Sequence, residues 1–228
     1  MSVNRAGRDF GTGPLARVSA LVYTLLVTEV LLLLASAPGL VPLLLLGGDA
    51  SNLPLDAACL IPAGPAASAA LFAIWRRSGD LADLHPGAQF WRGYRLNAAG
   101  VLRVYLPWLA VMTMIAMTLA HRGANGVPGW WRGLLVVIAV AATVWLANAM
   151  VITSLFAFRA VDVARLASYF LGKAPLTALG NAGVALGVAL VTAFATEPVA
   201  LLLATPACLA LLMSSRPMIE QVAEGFTA

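Results

Sequence analysis

Apolar positions in this chain gather into long blocks with no Asp, Glu, Lys or Arg, or only one, and short polar stretches punctuate them. A helix needs about 20 predominantly apolar residues to cross the hydrocarbon of a bilayer. Six blocks approach that length: 18–36, 57–75, 104–120, 133–158, 174–196 and 198–213. The pattern therefore predicts an all-α fold, a polytopic membrane bundle of six transmembrane helices. Residues 1–17 form an N-terminal segment, 18–215 the membrane domain and 216–228 a C-terminal tail. The run 43–46 is apolar but too short, and too broken by Pro38, Pro42 and Gly47, to span alone. It either extends the first helix or lies at the interface.

The longest polar connection runs from Arg76 to Arg103. After the Pro86 and Gly87 breaker, Phe90, Tyr94 and Val101 recur at helical spacing, with Arg92, Arg95 and Arg103 roughly opposite. This predicts an amphipathic cytoplasmic helix feeding into the third span. Phe90, Trp91 and Tyr94 would lie in the headgroup layer or on a partner, and Arg92, Arg95 and Arg103 would face water and lipid phosphates. A shorter cytoplasmic helix is predicted over 161–171, where Arg159, Asp162 and Arg165 follow at spacing i, i+3, i+6.

Composition agrees with lipid as the main solvent. The chain of 228 residues is 61% hydrophobic and 11% charged, with a mean hydropathy of +0.89; soluble domains run near 45–50% and about 25%. The basic excess, 14 Lys and Arg against 10 Asp and Glu, speaks for orientation and not for nucleic acid, because of where it falls. With six spans and the N-terminus inside, Arg5, Arg8, Arg17, Arg76, Arg77, Arg92, Arg95, Arg103, Arg159, Arg165, Lys173 and Arg216 are cytoplasmic, and only Arg122 and Arg132 lie outside. Basic residues resist translocation, so this split predicts a multi-pass plasma-membrane protein with both termini cytoplasmic. The polar, arginine-bearing N-terminus followed by a long apolar run fits a retained signal anchor better than a cleaved peptide. Trp130 and Trp131, before the fourth span, fit an outer aromatic belt. Cys59 and Cys208 sit in apolar surroundings without metal or redox spacing, and are read as small buried hydrophobes.

Few residues carry candidate chemistry. Glu29 falls inside the first span, where a charge costs about 2.5–3.5 kcal/mol on insertion scales; the Leu and Val residues around it offset that. It is either a carboxylate facing a polar cavity or a hydrogen-bonded group holding two helices together. Asn97, Asn148 and Asn181 have interhelical hydrogen bonding as their default role, and Glu29, Asn148 and Asn181 form the candidate intramembrane polar site. Small residues at 63–70 (AGPAASAA) and 180–187 (GNAGVALG), including a Gly183, Gly187 pair at GxxxG spacing, allow close helix approach. Asp80, Asp83 and His85 (DLADLH) resemble a weak divalent-ion motif that lacks a second acidic cluster. No nucleophile elbow, HExxH, phosphate loop or dinucleotide fingerprint is present. No metal site, cofactor or catalytic residue is expected.

Two segments bear a family likeness. GPAASAALFAIWRR resembles the Gly-Pro-Ala opening and Arg-pair closing of the second helix in YesL-type proteins, a bacterial integral membrane family of unknown function. FWRGYRLN is similar to that family's aromatic and basic segment before the third helix. The stretch 171–190, with Leu-Gly-Asn at 179–181, is compatible. The resemblance implies an accessory role beside carbohydrate-uptake ABC transporters, with membrane lipids, permease subunits or a second copy as partners, and it transfers no catalytic residues. The alternatives are a small secondary transporter or channel coupled through Glu29, with Asn148 or Asn181 on its path, and, third, an enzyme using Asp80, Asp83 and His85.

Overall fold

The computed structural model describes residues 14–46, 50–77, 84–120, 129–194 and 202–226. They are helical throughout: α1 (Pro14–Leu45), α2 (Leu53–Cys59), α3 (Ala63–Trp75), α4 (Pro86–Ala120), α5 (Gly129–Leu155), α6 (Ala160–Lys173), α7 (Pro175–Phe194), α8 (Ala204–Ser214) and α9 (Arg216–Phe226), with a 3-10 turn at Ala50–Asn52. Among the described residues, five stretches are long and apolar enough to cross a membrane: Leu15–Leu45, Leu53–Trp75, Pro86–Ala120, Gly129–Leu155 and Pro175–Thr192. Their outward faces are apolar too, with Leu26, Val137, Leu179 and Phe194 largely exposed. Such surface is tolerated in lipid and not in water. The chain is a polytopic membrane protein, all-helical among its described residues.

The expected sixth span is not carried by the described helices. The helix within 198–213 is α8, whose 11 residues reach about 16 Å at 1.5 Å per residue, against about 30 Å of hydrocarbon. Elsewhere the apolar blocks were too conservative. The run 43–46 extends α1, which continues through Pro38 and Pro42 to Leu45. There Gly39 meets the α2 end so closely that a Cβ would fall 1.8 Å from the Cys59 carbonyl oxygen, so only glycine permits the contact. The second span is broken after Cys59 and resumes at Ala63. The amphipathic segment and the third span are one continuous helix of 35 residues.

The antiparallel α3–α4 hairpin is the most extensive contact in the bundle, and small residues are the cause. Gly64 lies under the Tyr105 ring and Gly93 under Phe72, where a Cβ would come within 2.6 and 2.8 Å respectively. Ala66, Ala69, Ala70 and Ala73 of α3, Leu32 of α1 and Phe90 of α4 close a second apolar cluster on its other side. The Tyr105 hydroxyl donates to the Leu60 carbonyl across 3.3 Å, at the break between α2 and α3, as a second donor beside the Ala63 N–H at 3.1 Å. Tyr105→Phe is therefore expected to cost about 0.5–1.5 kcal/mol, measured as a lower unfolding midpoint in detergent, with the ring packing intact. Of the small residues in 180–187, Gly180 packs against Ser214. The Gly183, Gly187 pair meets nothing within 4 Å of its would-be Cβ atoms, so it is not a helix contact among the described residues.

Residues 216–226 are not a free tail. Met218, Ile219 and Val222 are buried and join the core cluster that holds Val163, Leu166, Ala167 and Phe170 of α6, while Glu220 and Glu224 stay exposed. Helix α6 covers the predicted 161–171 and extends it at both ends. Asp162 lies in its first turn and Lys173 in its last, each placed favourably for the helix dipole.

Candidate functional site

Three polar junctions lie inside this apolar bundle. The first belongs to Glu29. Its side chain is 6% exposed, and its Oε2 accepts two bonds from Thr205 of α8, one from the backbone N–H at 2.8 Å and one from the hydroxyl. Thr205 Oγ1 also lies 3.3 Å from the Leu25 carbonyl. Thr205 is the second residue of α8, and the residue preceding that helix, Leu203, has no side chain able to cap it. The first N–H groups of a helix have no partner within it, and they form its positive end. Glu29 supplies the missing acceptor from another helix, and the carboxylate gains the dipole in return. The other carboxylate oxygen, Oε1, and the neighbouring Thr28 hydroxyl are buried without a hydrogen-bond partner.

The second junction joins α5, α7 and the α8–α9 corner. Asn181 donates through Nδ2 to Asn148 Oδ1 at 2.8 Å and to Ser215 Oγ at 3.2 Å. Its Oδ1 lies within hydrogen-bonding distance of the Ser214 and Ser215 hydroxyls. An amide has two donor hydrogens and two acceptor lone pairs, so Asn181 is a saturated hub. Asn148 is also fully buried, and its Nδ2 has no partner. An open apolar groove of about 360 Å³ passes beside Asn181, between Gly64 and Tyr105 on one side and Val184 and Cys208 on the other.

The third junction ties the hairpin to α5. Ser68 and Ser154 pair through their hydroxyls at 2.8 Å, and Asn97 Nδ2 donates to the Ser154 carbonyl at 2.9 Å. In all three, groups far apart in sequence bond across helix boundaries, as polar side chains in lipid do where water is scarce.

The structure thus places Glu29, Asn148 and Asn181 in two separate junctions. Thr205, Ser214 and Ser215 complete them, and sequence reasoning had not singled these out. A Thr-Pro pair opening α8 and a Ser-Ser pair before Arg216 and Pro217 are turn and cap signals, but neither names its distant partner. Of the residues assigned to a lipid- or partner-facing surface, Phe90 is corrected: it is buried in the α1–α3–α4 cluster. Tyr94 is half-buried beside it, with ring centroids 6.4 Å apart. Trp91, Arg92, Arg95 and Arg103 are exposed. Phe90 and Tyr94 form the inner stripe of α4, since a helix this close to α1 and α3 buries its apolar side against them and not in a partner.

Asp80 and Asp83 lie outside the described residues, and so does His121. Among the described residues no group of three or more His, Cys, Asp or Glu side chains could hold a metal ion. Trp130 and Trp131 pair edge to face at the start of α5, 5.5 Å apart. No family model, curated protein or solved structure matches the chain.

Proposed function

We propose that this chain is an integral membrane accessory or scaffold protein of the bacterial plasma membrane, holding a partner in the bilayer and neither moving a solute nor making a bond. One observation carries this: its intramembrane polar groups are turned to each other, with Glu29 on the α8 start and Asn181 saturated by Asn148, Ser214 and Ser215. The proposal includes six crossings with both termini cytoplasmic, on the strength of the twelve-to-two distribution of basic residues. The partner is a carbohydrate-uptake permease subunit, as the YesL-type likeness suggests, and the docking surface is the exposed side of α4 at Trp91, Arg92, Arg95 and Arg103. Affinity purification from crosslinked native membranes is expected to recover a permease subunit, and Trp91→Ala with Arg95→Ala is expected to reduce that recovery several-fold. Recovery of this chain alone contradicts the assignment.

A second reading rests on the unpaired Glu29 Oε1 and Asn148 Nδ2: a secondary transporter in which Glu29 takes and releases a proton. Undiminished flux through a Glu29→Gln protein in vesicles removes that coupling group.

A further inference from the structure

A different place in the fold carries a binding site. Where α3 ends and α4 begins, a partly enclosed cavity of about 200 Å³ is lined by Thr24 of α1, Arg76 and Arg77 after α3, and His85, Pro86 and Gln89 at the α4 start. At about 30 Å³ per water it has room for a phosphate group with several waters. Among the described residues no acidic side chain lines it.

Each arginine makes one contact to α3 through its guanidinium. Arg76 stacks over the Phe72 ring at 5.3 Å, and Arg77 donates one bond from Nη1 to the Ile74 carbonyl at 3.2 Å. A guanidinium has five N–H donors in a planar fork, so most remain for a ligand, in the geometry that matches phosphate. The Gln89 N–H donates to the His85 carbonyl at 3.1 Å. His85 is therefore the residue at which α4 starts, and the Gly87 and Ala88 N–H groups precede the first intrahelical bond. They form the positive end of a 35-residue helix, whose Pro86 and Gln89 line the cavity. Gln89 contributes an amide and His85 an imidazole, while the Thr24 hydroxyl donates to the Ala20 carbonyl at 2.8 Å and only lines the wall.

The setting identifies the source of the anion. Arg76 directly follows Trp75, the last residue of a membrane-spanning stretch. Trp75 and Trp91 stand half-open on either side of the corner, at 42% and 44% exposure. Indoles of this kind settle at the headgroup level, where lipid phosphates lie. We propose that this cavity binds a phosphate group, that of an anionic phospholipid headgroup, with Arg76 and Arg77 as its principal ligands.

The test uses the full chain, purified in a neutral detergent, with thermal unfolding as readout, since a ligand that binds the folded state raises the midpoint. The probes are short-chain phosphatidic acid, inorganic phosphate and, as an anionic amphiphile without phosphate, a fatty acid of matching chain length. Phosphatidic acid is expected to raise the midpoint saturably, and Arg76→Gln with Arg77→Gln to weaken its apparent affinity about tenfold or more, as loss of two charge-assisted contacts requires. Arg159→Gln with Arg165→Gln, the same change in net charge at two exposed arginines, is expected to leave it within about twofold. Stabilisation by inorganic phosphate with the same Arg76 and Arg77 dependence means that free phosphate occupies the site, which supports the phosphate chemistry and overturns the lipid as its source. Equal loss in the two double variants, or equal stabilisation by the fatty acid, overturns the proposal. Gln89→Ala, which leaves the arginines in place, is expected to weaken binding about threefold and serves if the arginine variant does not fold.

Discussion

Replacing Asn181 with leucine is expected to lower the unfolding free energy in detergent by about 2–5 kcal/mol, the largest loss for any single change to a polar residue in the membrane domain. Interhelical hydrogen bonds in membranes average about 0.6 kcal/mol and reach about 1.7, and Asn181 makes contacts to Asn148, Ser214 and Ser215. Leucine fills similar volume, so the loss is one of bonding and not of packing. Asn148 would suffer most, because its Nδ2 is already unpaired and its Oδ1 would then lose its donor as well. It follows that Asn148→Leu added to Asn181→Leu should recover part of the stability, since removing both members of a pair costs less than orphaning one. A double variant whose loss equals the sum of the two single losses would show that the two amides do not act as a pair.

Glu29→Ala comes next, with an expected cost of about 3 kcal/mol, the range of a hydrogen bond to a charged group at a helix start. The loss falls on α8: its Thr205 N–H and hydroxyl both lose the Glu29 acceptor, and the hydroxyl keeps only the longer contact to the Leu25 carbonyl. Glu29→Gln keeps an oxygen at the same position and is expected to cost less than about 1 kcal/mol. Thr205→Val removes the hydroxyl and spares the backbone N–H, so it should fall between the two. In a double-mutant cycle the Glu29→Ala and Thr205→Val changes should be less than additive, because they remove one shared bond. Strict additivity would mean that carboxylate and hydroxyl do not meet.

The sequence made the membrane class legible because apolar block length is a local property, and five of the blocks correspond to long helices. It was less informative wherever tertiary contact overrode local signals. Pro38 and Pro42 read as breakers, yet α1 runs through them; a missing N–H donor is a lesser disruption when α2 packs alongside through Gly39. Phe90 fitted an amphipathic stripe, but the stripe faces α1 and α3 and not a partner, and periodicity alone cannot say what an apolar face meets. Met218, Ile219 and Val222 had the spacing of a buried face in a segment with too many charges to stand out as apolar. Glu29 was conspicuous as a lone carboxylate in an apolar run. Its partner Thr205 is 176 residues away in sequence, and no spacing rule reaches that far.

A scaffold of this kind has a bundle interior closed to water around Glu29, and Cys208 reports on it directly. This thiol sits three residues after Thr205 and packs against both apolar clusters. The other cysteine, Cys59, can be removed by Cys59→Ala. Treating native membranes that carry this single-cysteine protein with a charged, water-soluble methanethiosulfonate should leave Cys208 unmodified until the protein is denatured in SDS, after which it should react fully. Complete modification in the intact membrane would reveal an aqueous path to the Glu29 junction and contradict a scaffold with a dry core.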